Sequence, residues 1–433
     1  MLITSSFPKA ILHIDANAFF ASCEVAVNPS LRGKPVVTGL ERGIASAMSY
    51  EAKAMGVTRG MRISEIRKLC PNAIILPSDY ETYSLFSARM FAIVRRYTSL
   101  IEEYSIDECF ADISGLRRPL HMSYIDIAHK IKTALQSELG MTFSLGLAPN
   151  KVIAKLASNW VKPDGLTAIS GRDIHTFLET TPVGKIWGIG PQTTAHLAQF
   201  GITTALQFAL KNEQWVTAHM SKPYHEIWRE LHGESVYPLS TSEKHDYQSI
   251  SKTRTLTPPS ADREFVFAQL SKNIENACIK ARRHKLVAQK IVFFLKTQEF
   301  QYRGLELKLS RPVAVPEEIV PLVRTKFYEV FKKDTPYRAS GIVLAGLIPD
   351  TTAQLDLFGA SARIEGTNKI YEALDALSAR YGKHAVYLGS SHKAMQNAQH
   401  EGNRGMQSLR KTDLMHGETA RKRIAIPMLG NVV

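Results

Sequence analysis

The stretch "EYSIDECFADIS", residues 103–114, places two adjacent carboxylates, Asp107 and Glu108, between two short apolar runs. In a regular β-strand neighbouring side chains point to opposite faces, so only one of two adjacent acids can face a given site. Either one acid faces water, or the pair lies at the bend of a hairpin, where consecutive side chains need not alternate. The apolar residues on both sides favour the hairpin. Asp15, at the end of the apolar run "AILHID" (10–15), is then a candidate third carboxylate beside the pair.

Such a group of acids has a characteristic chemistry. Three carboxylates around one pocket repel one another unless cations neutralise them. Mg²⁺ prefers hard oxygen ligands of this kind, together with water and phosphate oxygens. Two Mg²⁺ ions in such a pocket can activate an attacking hydroxyl and stabilise a leaving pyrophosphate during phosphoryl transfer. An adjacent Asp-Glu pair is more often an acidic cap on a solvent-facing turn, so the pair by itself leaves both interpretations open.

The segments around the pair follow the order of a ferredoxin-like layer. Residues 10–15 predict a buried strand, and residues 80–99 have apolar side chains at helical spacing. The two strands that flank the acidic pair come next, followed by a helix at about 123–139 and the strand-like run "TFSLGLA" (142–148). Strand, helix, strand, strand, helix, strand is the order of a split βαβ layer.

Beyond this layer the chain changes character. Residues 171–232 predict helices and contain "KIWGIGPQTTAHLAQFGI" (185–202), a small-residue turn between two helical patterns. After a polar linker, residues 245–350 predict a second α+β module with 18 Lys+Arg against 11 Asp+Glu. Its net charge of +7 is half of the +14 of the whole chain. The positive charge is therefore concentrated, as in a module that binds nucleic acid.

Composition restricts the class of protein. At 433 residues, with 44% apolar and 22% charged residues, the chain has the composition of a multidomain globular protein. A net charge of +14 favours a polyanionic partner, nucleic acid before an anionic membrane. No apolar run approaches the ~18 residues of a membrane-spanning helix, and the N-terminus does not resemble a signal peptide. The four cysteines form no CxxC pair, so we expect neither a disulfide framework nor a zinc site, and we expect a cytoplasmic protein.

Five motifs in order resemble those of the Y-family DNA polymerases, the low-fidelity enzymes that copy damaged templates. They are "IDANAFFASCE" (14–24), "SYEAKAMGV" (49–57), "SIDECFADIS" (105–114), "NKVIAKLASNWVKPDG" (150–165) and "VGKIWGIGPQTT" (183–194). The resemblance covers about residues 10–350 and implies an α+β multidomain fold shaped as a right hand. Its parts would be a ferredoxin-like palm (1–18 and 80–170), small fingers (19–79), a helical thumb (171–235), a linker (236–244), an α+β little finger (245–350) and a C-terminal tail (351–433).

The resemblance implies a role for each matching residue. Asp15, Asp107 and Glu108 would be the catalytic carboxylates and the ligands of two Mg²⁺ ions, assisted by the carbonyl of Ala16. Phe20 falls at the steric gate, where a flat ring under the incoming sugar excludes a 2′-hydroxyl, and Phe19 beside it would be packing at the nucleotide site. The remaining nucleotide-binding candidates would contact the triphosphate, and they are Tyr50, Lys53 and Lys162. Lys53 stands where the family often has arginine, and lysine lacks the bidentate fork of that residue.

Two further motifs point to partners. The run "IWGIGPQTTAHL" resembles a helix-hairpin-helix element, in which Gly188 and Gly190 would let the backbone approach a DNA phosphate without reading sequence. The run "TAQLDLFG" (352–359) contains the QLxLF pattern by which bacterial polymerases dock on the sliding clamp, through Gln354, Leu355, Leu357 and Phe358. Residues 368–389 predict a helix with Ile370, Ala373, Leu374 and Leu377 on one face, which would either pack on the body or bind a partner.

These observations predict a template-directed DNA polymerase that adds deoxynucleotides to a primer 3′ end and tolerates template lesions. Its expected partners are primer-template DNA, deoxynucleoside triphosphates, the sliding clamp and other proteins of the DNA-damage response, with no membrane. The main alternative is a non-catalytic scaffold of the same fold that is tethered to the clamp and recruits another polymerase. A nucleotide cyclase also uses paired acids and two metals, but it has no use for the basic module or the clamp peptide.

Overall fold

The computed structural model describes residues 6–241, 247–350, 360–381 and 384–396, and these form two compact units. We call the described residues up to 241 the N-terminal unit and those from 247 to 396 the C-terminal unit. The predicted clamp peptide at 354–358 lies outside the described residues, as do the last 37 residues of the chain (397–433).

The N-terminal unit combines short strands with helices throughout. Its strands are β1 (Ile11–Ala16), β2 (Val36–Thr38), β3 (Ala47–Met48), β4 (Ile74–Leu76), β5 (Ile101–Glu103), β6 (Glu108–Asp112), β7 (Phe143–Ala148) and β8 (Leu166–Ala168). Its helices are α1 (Phe19–Val27), α2 (Tyr50–Ala54), α3 (Ile63–Leu69), α4 (Tyr80–Arg95), α5 (Arg117–Leu120), α6 (Tyr124–Leu139), α7 (Lys151–Trp160), α8 (Ile174–Thr180), α9 (Pro191–Ala198), α10 (Ala205–Ala209), α11 (Glu213–His219) and α12 (Lys222–Leu231).

A five-stranded sheet with the order β5-β6-β1-β7-β8 forms the centre of this unit. β1 is antiparallel to both β6 and β7, and β5 pairs antiparallel with β6. These four strands, with α4 and α6 as the two crossovers, have the ferredoxin-like arrangement that the sequence predicts. β8 extends the sheet by pairing parallel to β7.

Residues on the two faces of this sheet pack into different cores. Leu12 and Ile14 of β1 pack with side chains of α4 and α6 on one face. Ile11 of β1 and Phe110 of β6 pack on the opposite face, against α7 and the helices that follow. α7 lies close to the sheet because β7 has a glycine there, and a Cβ at Gly146 would come within 2.1 Å of a backbone oxygen of the helix. His13 and Asp15 alternate with the buried apolar residues and therefore share the face that α7 covers.

Two smaller parts complete the unit. Between β1 and α4 the chain forms a three-stranded sheet, β3-β2-β4, with its own core around Val37 and Ile66. From residue 174 to 231 the described secondary structure is helical, as the sequence predicts, and it shares the core of the α7 face.

The C-terminal unit is a second α+β module, as the sequence predicts. Its strands β9 (Ser249–Ser260), β10 (Leu286–Thr297), β11 (Tyr302–Val313) and β12 (Tyr337–Pro349) form an antiparallel sheet with the order β11-β10-β12-β9. Its helices are α13 (Arg263–Arg283), α14 (Pro316–Val330), α15 (Ala360–Tyr381) and α16 (His392–Gln396). Ile291, Phe293 and Leu295 of β10 face the core that α13 and α14 cover.

The segment after residue 360 packs on this module, which answers one open question from the sequence. Tyr371 is buried in the core of the C-terminal unit and Leu374 packs against it. Ile370 and Leu377, predicted on the same apolar face, are 60% and 39% exposed. The helix therefore packs back on its own unit, but through a narrower face than the helical spacing predicts. The compact unit thus continues beyond residue 350, where the sequence places the start of the tail.

The cysteines and the helices have the following surroundings and character. All four cysteines are buried, and no disulfide joins any two of them. No helix in the described part of the chain has the length and apolar character needed to span a bilayer.

Candidate active site

The two adjacent acids lie at a hairpin bend. β5 ends at Glu103 and β6 begins at Glu108, so Asp107 is the last residue of the turn and Glu108 the first of the strand. The backbone N–H of Ala16 donates to the carbonyl of Asp107 at 2.9 Å, which ties the turn to the end of β1. The predicted bend is therefore present, and the alternation of a regular strand does not separate the two carboxylates.

Asp15 lies directly beside them. It is the cross-strand partner of Glu108 in the antiparallel pair of β1 and β6. Directly opposed residues in such a pair point to the same face, so the two carboxylates share the face that α7 covers. Burial raises the pKa of Asp107, and the charges of Asp15 and Glu108 raise it further. The three carboxylates therefore influence one another electrostatically.

Two lysines neutralise part of this negative charge. Lys162 Nζ donates to Asp15 Oδ1 at 2.7 Å, and Lys155 Nζ donates to Glu108 Oε2 at 2.6 Å. Burial alone would raise the pKa of Glu108, but hydrogen bonds from His13 and Lys155 outweigh it and lower this pKa to about 2. Glu108 is therefore ionised at neutral pH.

His13 is a site residue that the sequence motifs did not single out. It is fully buried, and its ring lies between Ser158 Oγ at 2.7 Å from Nδ1 and Glu108 Oε2 at 3.1 Å from Nε2. Burial lowers the pKa of this histidine, which favours the neutral ring. The available signal is its position two residues before Asp15, since side chains two apart on a strand share one face.

Lys155 is held by aromatic rings as well as by Glu108. Its Nζ lies 4.7 Å from the ring centroid of Tyr104 and 5.6 Å from that of Trp187. Trp187 donates its indole N–H to the hydroxyl of Tyr104 at 3.2 Å. These contacts place Lys155 against the acidic cluster.

The carboxylates fit a divalent cation in their chemistry. Their hydrogen bonds use Oδ1 of Asp15, Oδ1 of Asp107 (from Ser105 Oγ at 2.7 Å) and Oε2 of Glu108. Oδ2 of Asp15 and Oε1 of Glu108 make no hydrogen bond within the described residues, which leaves hard anionic donors of the kind that Mg²⁺ prefers. In the described part of the chain, no three His, Cys, Asp or Glu side chains converge as a complete ligand set. The lysine ammonium groups supply the positive charge here.

The predicted nucleotide-binding residues lie on α1, on α2 and in the turn that follows α7. Lys53 Nζ lies 4.1 Å from the ring centroid of Tyr50. Desolvation and the nearby Lys162 lower the pKa of Lys53, whereas burial and the nearby Asp15 raise the pKa of Tyr50. Lys162 bonds Asp15, and the charge of Asp15 acts on Tyr50 and Lys53, so the three predicted triphosphate contacts lie near Asp15 although each is distant from it in sequence.

Phe19 and Phe20 differ in their surroundings. Phe19 is 4% exposed and belongs to the core between the sheet, α4 and α6. The ring of Phe20 is half-buried and stacks on Tyr83, with centroids 4.4 Å apart and an interplanar angle of 13°. Stacking on Tyr83 therefore restrains the orientation of the flat ring of Phe20.

The glycines of the helix-hairpin-helix candidate lie in the turn before α9. Gly188 has φ +92°, a conformation that favours glycine, and a Cβ there would displace the terminal methyl of Ile227, 2.6 Å away. Gly190 is the N-cap residue of α9, and a Cβ on it would meet no heavy atom within 4 Å. The backbone is thus accessible at Gly190, whereas Gly188 is needed for its positive φ.

Comparisons with known proteins agree with this architecture. Family models match at residues 14–159 (impB/mucB/samB family), 172–202 (IMS family HHH motif) and 247–357 (impB/mucB/samB family C-terminal domain). DNA polymerase IV of Moorella thermoacetica is 35% identical over 394 residues, covering 88% of this chain and 96% of the relative. DNA polymerase IV 1 of Bacillus subtilis is 30% identical, covering 89% of this chain and 94% of the relative.

Solved structures give the same result. The Y-family DNA polymerase chimera Dbh-Dpo4(243-245)-Dbh has a TM-score of 0.67 and 25% identity, covering 78% of this chain and 99% of that one. Three features define a right-hand polymerase of the Y family. They are a ferredoxin-like sheet with three carboxylates at one end, a helix-hairpin-helix element and a second α+β module. The chain belongs to the impB/mucB/samB family, in the group of the DNA polymerase IV enzymes. It is therefore a DNA-directed DNA polymerase of the translesion class.

Proposed function

We propose that this polymerase adds deoxynucleotides to the 3′ end of a primer by two-metal phosphoryl transfer, with Asp15, Asp107 and Glu108 as the metal ligands. The observation that carries the proposal is the cross-strand pairing of Asp15 with Glu108 beside the turn residue Asp107. Divalent ions bound there would supply activation of the primer hydroxyl and stabilisation of the leaving pyrophosphate. Mg²⁺ is the ion that these oxygen donors suit best.

The chain's own residues order this site before substrate binds. His13 and Lys155 both donate to Oε2 of Glu108, which restrains the carboxylate and leaves Oε1 for a cation. Lys162 neutralises Asp15 in the absence of a cation. We propose that Lys162 transfers its hydrogen bond to a triphosphate oxygen, beside Tyr50 and Lys53, when a nucleotide enters.

The incoming sugar is selected by sterics in this proposal. The face of Phe20, stacked on Tyr83, would lie under the sugar and exclude a 2′-hydroxyl. Phe20→Ala should therefore raise the efficiency of ribonucleotide insertion relative to deoxynucleotide insertion by about tenfold or more. Phe20→Tyr keeps the ring and should retain the selectivity of the wild type. Equal sugar selectivity in Phe20→Ala and the wild type would contradict the assignment.

We propose that two elements bind primer-template DNA, one through backbone N–H groups and the other through positive charge. Gly190 and the first N–H groups of α9 would contact a DNA phosphate, since helix N-termini favour anions. The +7 charge of residues 245–350 would bind the DNA backbone without reading sequence. The scaffold alternative has no support in the acidic site, because all three carboxylates are present.

The decisive experiment replaces the acids without changing their size. Asp107→Asn combined with Glu108→Gln should lower primer extension with Mg²⁺ by about a thousandfold or more, because the cation ligands are lost. Affinity for primer-template DNA without nucleotide should change little. Glu103→Gln, on the same hairpin, is the matched control and should retain activity. A double variant that still extends primers would refute the assignment of the metal ligands.

A further inference from the structure

The hairpin between β10 and β11 carries large aromatic side chains that are exposed to solvent. Phe300 is 57% exposed and Tyr302 is 64% exposed. Neighbouring aromatic rings exposed to this extent indicate a binding surface more often than single exposed apolar residues do. The rings lie in the C-terminal unit, away from the acidic residues of the candidate active site in sequence.

Cations lie against these rings. Lys296 Nζ is 4.6 Å from the ring centroid of Phe300 and 4.7 Å from that of Tyr302. The guanidinium carbon of Arg338 is 4.6 Å from the ring centroid of Phe300. Each cation is attracted to the face of a ring, and the cluster therefore combines flat apolar surface with positive charge.

The cluster continues onto the face of the sheet that α13 and α14 do not cover. Side chains alternate along β10, so Phe294 and Lys296 point away from the core that Phe293 and Leu295 enter. The ring of Phe294 lies 5.6 Å from that of Tyr302. The end of the Phe294 ring lies over Gly341 of β12, where a Cβ would come 2.3 Å from Cζ. A side chain at this position would therefore displace the Phe294 ring from this surface.

The backbone of the hairpin holds Phe300 outward. Phe300 has φ +68°, which is uncommon for a bulky residue. The turn is closed by hydrogen bonds from Phe300 N to Thr297 O at 3.1 Å and from Thr297 N to Gln301 O at 2.9 Å. The ring is thus presented by a hydrogen-bonded turn in a conformation that an unconstrained phenylalanine seldom adopts.

We propose that this surface, which we call the aromatic hairpin (Phe294, Lys296, Phe300, Tyr302 and Arg338), binds unpaired bases of single-stranded template DNA. Flat rings stack on the exposed faces of unpaired bases, whereas the base faces of a duplex are covered by their neighbours. Lys296 and Arg338, opposed on the hairpin by Glu299, supply the positive charge that a phosphate backbone attracts. A translesion polymerase always has unpaired template ahead of the primer end. The proposal is independent of the metal-ligand assignment.

Fluorescence anisotropy with the full chain tests the proposal. The probes are a primer-template with a single-stranded template overhang, a blunt duplex of equal length and a single-stranded oligonucleotide. In the variant Phe300→Gly combined with Tyr302→Ala, affinity for the overhang and the single strand should fall about fivefold or more, since each stacked base contributes at this level. Affinity for the blunt duplex should not change. The salt dependence should also stay the same, because no charge is removed.

The variants are chosen so that folding and charge do not confuse the result. Glycine adopts positive φ without strain, so Phe300→Gly removes the ring and relaxes the turn. Tyr302→Ala alone serves as a second variant if the double variant does not fold. The matched control is Tyr328→Ala, since Tyr328 on α14 is also 64% exposed and also has a cation over its ring. The guanidinium carbon of Arg263 is 5.5 Å from the ring centroid of Tyr328. This control should bind all three probes like the wild type.

Three results would overturn the proposal. The first is that the folded variants bind the single strand with the affinity of the wild type. The second is that the variants lose as much affinity for the blunt duplex as for the single strand, which indicates a general DNA contact. The third is a lipid result: the wild type binds vesicles of phosphatidylserine and phosphatidylcholine, and the variant loses this binding while retaining its affinity for the single strand. That outcome would assign the surface to anionic lipid.

Discussion

At the scale of single residues, the candidate site depends on which oxygen of each carboxylate is occupied. His13 and Lys155 both donate to Oε2 of Glu108, at 3.1 and 2.6 Å. His13 is itself held by Ser158 Oγ at 2.7 Å, so its ring cannot rotate without losing a buried hydrogen bond. A carboxylate held in this way has less rotamer freedom to lose when it binds a cation.

This arrangement predicts the effect of removing His13. In His13→Phe an aromatic ring still fills the space, but both hydrogen bonds of the imidazole are lost. The Mg²⁺ concentration for half-maximal primer extension should therefore rise about tenfold, as it does when other partners of metal-ligating groups are removed. Mn²⁺ binding measured by electron paramagnetic resonance should weaken to a similar extent without any turnover. Ser158→Ala removes only the distal hydrogen bond and should have a smaller effect. A folded His13→Phe protein with unchanged metal affinity would show that His13 has only a packing role.

At the scale of secondary-structure elements, an ion-pair cluster joins the two helices beneath the main sheet. Glu138 near the end of α6 accepts two hydrogen bonds from Arg96, both at 2.7 Å, and one from Arg89 of α4 at 3.2 Å. The side chain of Arg89 is 1% exposed. Bidentate pairing of this kind holds α4 and α6 against the sheet face opposite to α7.

The cluster predicts a pH-dependent contribution to stability. The hydrogen bonds from Arg96, with the charges of Arg96 and Arg89, lower the pKa of Glu138 from 4.5. Its stabilisation is therefore present above the ordinary carboxyl pKa and is lost as the pH falls below it. Glu138→Gln should lower the Tm of the N-terminal unit by about 2–8 °C at pH 7, as a loss of about 1–2 kcal/mol predicts.

Calorimetry at several pH values checks this prediction. The difference in Tm between the wild type and Glu138→Gln should shrink as the pH falls below the ordinary carboxyl range. Glu179→Gln is the control, since Glu179 is exposed on α8 and makes no ion pair within the described residues. A constant difference at all pH values would show that the ionised form of Glu138 is not the source of the stability.

At the scale of the whole molecule, the clamp peptide is a separate prediction. Residues 354–358 lie outside the described residues, between β12 and α15 of the C-terminal unit. Replacing them by a scrambled sequence of the same five residues should leave extension of short, bare primer-templates unchanged. Stimulation by the sliding clamp should be lost, because the apolar anchors no longer match the groove.

The scrambled variant keeps the composition and length of the chain, so it separates the motif from the tether. A steady-state extension assay with and without the clamp gives the readout. If the clamp still stimulates the variant, these five residues are not the main attachment.

How far the sequence predicts the molecule differs between its parts. Hydrophobic periodicity and element order predicted the ferredoxin-like layer, the helical region and the second α+β module, because these patterns are local. The apolar face of α15 was predicted too widely, since packing selected Tyr371 and Leu374 and left Ile370 exposed. Which residues of an amphipathic helix become buried depends on the shape of the surface that receives them, and that shape is not local in sequence.

The candidate site shows the same division. The sequence by itself determined the acidic pair at a bend, the glycine turn and the order of motifs, because each depends on neighbouring residues and on the period of the strand. Only the tertiary structure decided that Lys155 bonds Glu108, that Lys162 bonds Asp15 and that His13 lies between Ser158 and Glu108. These contacts join residues from 47 to 147 positions apart, and they exist because antiparallel pairing and the packing of α7 bring distant segments onto one face of the sheet.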